Sequence, residues 1–99
     1  MWDYEVKILY NAYNDLYEYV DYIERMTFSK EKADQELTIF LWKVMELNFM
    51  PFMYPKVYKD FHILNFRNKK IFYKIYEEKR LVIVFHILWQ AQNYEKYLD

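Results

Sequence analysis

The chain has 99 residues, no cysteine, no glycine, a net charge of −1 and aromatic side chains at 23% of its positions. Without cysteine there is no disulfide, no thiolate nucleophile and no cysteine-bound zinc. Without glycine, the phosphate-cradling loops, dinucleotide turns and nucleophile elbows that depend on its backbone freedom are disfavoured as well.

A chain of this length makes one domain over residues 1–99, and its twelve Tyr and eight Phe suffice for a small core. No apolar run approaches the roughly 18 residues that span a bilayer, and no signal peptide opens the chain. A cytoplasmic protein without membrane contact is expected. Charge is unevenly placed: residues 1–54 carry ten acidic and five basic side chains, residues 55–99 nine basic and five acidic. That asymmetry points to an anionic partner for the second half, or to a dipolar surface with no partner.

Residues 4–10 begin with alternating apolar and charged positions, the pattern of a half-buried strand with Tyr4, Val6 and Ile8 inward. Asn11 is the expected cap of a first helix running to Arg25 or Met26, whose apolar side is Ala12, Leu16, Tyr19, Val20 and Ile23. Asp15, Glu18, Asp21 and Glu24 read as its solvated face. Ser29 caps a second helix with the stripe Ala33, Leu37, Phe40, Leu41, Val44 and Leu47, ending near Asn48. Pro51 and Pro55 bracket a loop in which Met50, Phe52 and Met53 read as a lid on the core or, less simply, as a contact surface.

Residues 58–66 read as one strand, and residues 67–69 as a tight turn with Asn68 in the left-handed conformation. Residues 71–76 and 81–88 flank a charged tetrapeptide, which is a hairpin signal. If Tyr76 faces Leu81, then Ile71, Tyr73 and Ile75 share one side with Val82, Val84, His86 and Leu88. Lys70, Phe72, Lys74 and Tyr76 share the other with Leu81, Ile83, Phe85 and Ile87. Two helices cover only one side. The expected fold is a two-layer α+β domain, β-α-α-β-β-β, with a helical hairpin on one face of a mainly antiparallel sheet.

That order resembles the RelE/ParE superfamily of toxins from bacterial toxin–antitoxin modules. The residues that carry it are Ala12, Asp15, Leu16, Tyr22 and Ile23 of the first helix, with Tyr19 or Val20 at its aliphatic position, and Ala33 of the second. Lys70-Ile71-Phe72-Tyr73-Lys74-Ile75, the final strand and the tail Tyr94-Glu95-Lys96-Tyr97-Leu98 complete it. The resemblance implies a toxin neutralised by a cognate antitoxin laid across the open sheet face. It also implies one of two targets, of which the ribosome is the leading expectation, because of the basic, aromatic sheet face, and DNA gyrase the alternative. RelE-like members cleave messenger RNA on the ribosome, and ParE-like members bind DNA gyrase. A catalytically decayed interaction module, or a homodimer burying its own open face, remains as an alternative.

In the ribonuclease reading Lys70, Tyr97 and His62 are the candidate catalytic residues. Fixed cations would steady charge on the phosphate, and a tyrosine or histidine would move protons. Lys56, Lys59, Arg67, Lys69, Lys74 and Phe72 would contact RNA or another target, since cations and aromatics serve phosphate neutralisation and base stacking. Tyr76, Leu81, Ile83 and Phe85 would seat the antitoxin. Neither a cofactor nor a metal is expected, because His62 and His86 lack ligand spacing. The segment Trp89-Gln90-Ala91-Gln92-Asn93 carries no cation, where ribonuclease members often have His or Arg. His86 reads as a hydrogen-bonded core histidine.

Overall fold

The computed structural model describes residues 3–89 and Leu98. A first strand β1 (Glu5–Ile8) leads into helices α1 (Tyr10–Thr27) and α2 (Lys30–Met45). Strands β2 (Lys56–Tyr58), β3 (Phe61–Phe66), β4 (Lys69–Tyr76) and β5 (Leu81–Trp89) follow. One-turn 3-10 helices occupy Glu46–Asn48, Pro51–Met53 and Glu77–Lys79. The sheet order is β1-β5-β4-β3-β2; β1 runs parallel to β5 and every other pair is antiparallel. The expected α+β layering is therefore present, with one more strand than expected. The segment 58–66 divides because Lys59 turns to φ 51° and folds Lys56–Tyr58 back on β3.

Local chemistry accounts for most boundaries. Ser29 Oγ accepts the Lys32 N–H at 3.1 Å and starts α2. The first helix begins at Tyr10 without the expected Asn11 cap; Leu9 is its N-cap and supplies no side-chain bond. The β3–β4 turn places Arg67 at φ 50° and Asn68 at φ 63°. Two successive left-handed residues match the twist of a two-residue hairpin, here made without glycine.

The helical hairpin lies on the face bearing Ile71, Tyr73, Val82 and Val84, all 0% exposed, together with Leu16, Phe40 and Val44. Burying a side chain the size of Phe40 contributes about 2–3 kcal/mol. The β4–β5 register begins as expected, with Tyr76 opposite Leu81 and Tyr73 opposite Val84. It then shifts by one, so that Phe72 faces His86 and Phe85 is the extra residue of a β-bulge. Beyond the bulge the alternation reverses. Ile87 joins the main core under the helices, while Leu88 joins Phe72 on the opposite face. The expected assignments of His86, Ile87 and Leu88 are thus corrected, because one inserted residue exchanges the two faces.

Candidate functional site: a cleft beside the β4–β5 turn and its neighbouring faces

The second sheet face is less open than the sequence suggests. Phe61, Ile63, Phe72 and Leu88 form a small core of their own, 0–5% exposed, with Tyr58, Phe85 and Leu98 packed against it. Phe72, expected to meet RNA, is wholly buried there. Lys70 Nζ donates to Asn65 Oδ1 at 3.1 Å. Lys74 Nζ lies 4.6 Å from the Phe61 ring centre and 5.3 Å from that of Phe85. Leu81, Ile83 and Phe85 are half-buried, and Tyr76 is 37% exposed.

The other expected contact residues are dispersed. Arg67 pairs with Glu36 at 3.1 Å and stacks over Phe66. Lys59 lies over Tyr58 on the β2–β3 turn. Lys69 is withdrawn from the surface, at 2% exposure. Its ammonium sits 3.6 Å from the Trp89 ring centre and 4.8 Å from that of Tyr19. Burial pulls its pKa down to about 8, against the weaker opposing pull of Asp15 and Glu18. Tyr97 lies outside the described residues.

Four of the expected residues converge. Lys56, His62, Lys74 and Tyr76 line one cleft of about 560 Å3 with Phe52, Asp60, Ile75 and the turn Glu77–Lys79. The cleft exists because β4 continues past the first residue of β3, leaving Ile75 and Tyr76 without a partner on that side. His62 is buried on the helical face. Its Nδ1 lies 2.7 Å from the Tyr54 carbonyl, and a carbonyl only accepts, so Nδ1 carries the proton. The ring stacks on Tyr73 at 5.2 Å and meets the edge of Phe52 at 6.3 Å. Tyr73 donates to the Pro51 carbonyl at 2.6 Å, and burial holds its phenol well above the ordinary range. With Asp60, Glu77 and Glu78 in the same wall, the cleft is mixed in sign rather than basic.

One feature escaped the sequence reading. Asp15, taken for a solvated helix residue, accepts the Ile87 N–H at 2.9 Å and His86 Nδ1 at 3.2 Å through one carboxylate oxygen. The need arises because β1 ends at Ile8, opposite Val84, so beyond that point the edge of β5 away from β4 has no strand beside it. His86 is thus hydrogen-bonded as expected. In the proline-bracketed loop the residue that closes the core is Pro51, not the Met50, Phe52 and Met53 expected as a lid. Pro51 is buried and holds Tyr73, yet Met50, Phe52 and Met53 are more than half exposed, as is Trp42 on α2. A loop of Met and aromatics between prolines was the available signal.

Among the described residues no group of His, Asp and Glu is placed to hold a metal ion, and no helix is long and apolar enough to cross a membrane. No family model matches the chain, and no curated protein is similar to it in sequence. Among solved structures, the chain is similar to one from the chromosomal ParDE TA system of P. aeruginosa. The TM-score is 0.75 at 13% identity, over 87% of this chain and 95% of that one. The two share a fold, and the resemblance read from the ordered motifs is met at that level.

Proposed function

We propose that this chain is the toxin of a toxin–antitoxin pair, held inactive by a cognate antitoxin protein. The observation that carries the reading is the fold shared over 95% of a chain from a ParDE TA system, which leaves almost nothing of that chain unmatched. The ordered motifs of the first helix, β4 and the final strand support it as well. The half-buried Leu81 and Ile83, with Tyr76 at the cleft rim, supply an apolar seat for an antitoxin segment.

Within this reading the toxin acts by gripping a protein, as ParE-like members grip DNA gyrase. Two expected RNA contacts, Lys69 and Phe72, are buried, and the expected catalytic Lys70 is bonded to Asn65. Ribosome-dependent mRNA cleavage is the second reading, favoured by the cleft that gathers Lys56, His62, Lys74 and Tyr76. There His62 Nε2 would shuttle a proton and the two ammonium groups would steady the phosphate.

Induced expression should arrest growth, and the purified chain should inhibit gyrase supercoiling while leaving mRNA on programmed ribosomes intact. New mRNA ends with normal supercoiling would install the second reading. Expression without arrest, together with neither activity, would remove the toxin reading.

A further inference from the structure

Among the described residues, Lys69 is the most deeply buried cation. It opens β4 beside the β3–β4 turn, and its side chain turns under α1 rather than outward. A buried ammonium is normally met by a carboxylate or by carbonyl oxygens, because its three N–H donors lose water on burial. Here the group has the Trp89 and Tyr19 rings as neighbours and no ion-pair partner among the described residues. Aromatic faces offset part of the desolvation.

The same side chain lines a pocket of about 320 Å3, walled by Tyr22 and Trp89 and shared with Glu18 and Arg25. Asp15 is also there, but its Oδ2 is already occupied by Ile87 and His86. The pocket therefore presents an ammonium, a guanidinium that can bind a carboxylate in a fork, and aromatic walls.

We infer that this pocket receives a single carboxylate, carried by an acidic side chain of a docked protein segment, with Lys69 and Arg25 as its ligands. The rim decides between a carboxylate and a nucleic-acid backbone. Glu18, Asp21 and Glu24 line the adjoining surface of α1. A row of phosphates laid across that surface would be repelled at every step. One side-chain carboxylate entering the pocket meets Lys69 and Arg25 and leaves its own flanking residues to face the acidic rim. The site stands whether or not the chain is a toxin, since it rests on Lys69, Arg25 and the pocket they line. The charged groups facing Lys69 from α1 are Asp15, Glu18 and Arg25, with the phenols of Tyr19 and Tyr22; β5 contributes the uncharged indole of Trp89.

The test uses the whole chain and three probes at matched ionic strength: N-acetyl-aspartate, inorganic phosphate and chloride, followed by NMR at the Lys69 side chain and the Trp89 indole N–H. N-acetyl-aspartate should produce saturable shifts at both groups and raise the pH at which Lys69 titrates. In Lys69→Met, which keeps the aliphatic stem against the rings, the indole shift should fall at least tenfold in apparent affinity while circular dichroism stays unchanged. Arg25→Gln, on an exposed residue, supplies a second variant that should weaken the shift severalfold. Equal response to chloride, tighter response to phosphate, or an undiminished indole shift in Lys69→Met would each overturn the assignment. These outcomes are separable from the growth and gyrase assays, which do not read the pocket.

Discussion

Lys69 is held where its charged form is least comfortable, and this has a measurable consequence. Its pKa is drawn from 10.5 down to about 8 by burial, so between those values the unfolded chain binds a proton that the folded chain has released. Stability linked to this group is therefore fully present above pH 10.5 and is lost as pH falls through 8. Tyr19, pushed up to about 12 chiefly by burial, opposes this trend only above pH 10, where an unfolded tyrosine ionises. Denaturant titrations should show stability rising from pH 8 to pH 10 in the native chain. Lys69→Met should abolish that rise and be more stable at pH 7 by on the order of 1–3 kcal/mol. A flat profile in both chains would show that the amine is better solvated than its surroundings imply. No feature of the run Arg67-Asn68-Lys69-Lys70 marks the third residue as buried. In the sequence all four are polar, and only the strand's direction under α1 separates Lys69 from Lys70.

At the scale of the element, the β-bulge at Phe85 is the feature that most alters the site. Strict alternation would put Ile87 on the same face as Ile83; the bulge sends Ile87 into the main core, where it is 1% exposed, while Ile83 stays half-buried. Ile87→Ala should cost about 2–5 kcal/mol in chemical denaturation, as large-to-small changes in a packed core do. Ile83→Ala should cost nearer 1 kcal/mol. Comparable losses at the two positions would contradict the shifted register. The hairpin itself was legible: two runs of strand formers, a charged turn and Tyr76 against Leu81. The bulge was not, because its cause lies outside the strand. β1 pairs with β5 only as far as Val84, and α1 then takes over that edge through Asp15. Local sequence contains no trace of where a distant strand stops.

For the whole molecule, the question is what the uncovered sheet face does without a second helical layer. It divides into two parts. Phe61, Ile63, Phe72 and Leu88 are buried beneath Leu98, while Leu81, Ile83 and Phe85 remain half-buried near the cleft. Leu98→Ala should loosen that cover, seen as a clear increase in fluorescence of an apolar dye with the main core intact by near-ultraviolet circular dichroism. No change in dye binding would mean that Leu98 adds little to the cover. The separation of charge also changes meaning at this scale. Acidic α1 and the basic strand segment are distant in sequence, yet Lys69 carries a basic residue to the acidic helix and Arg67 reaches Glu36 on α2. Part of the apparent basic surface is thereby neutralised within the fold.

By itself, the amino-acid sequence determined the layering, the two helices, the β4–β5 hairpin and its initial pairing. Each of these follows from hydrophobic period, capping residues and turn chemistry acting over a few neighbours. It also supplied four of the residues that meet in the cleft. Only the tertiary structure decided that the cleft is mixed in sign, that Lys69 and Phe72 are buried, and that Asp15 anchors β5. Those outcomes depend on where strands end relative to one another and on which faces a single inserted residue exchanges. Both are set by contacts between segments as far apart as residues 5 and 81, beyond the range at which spacing along the chain carries information.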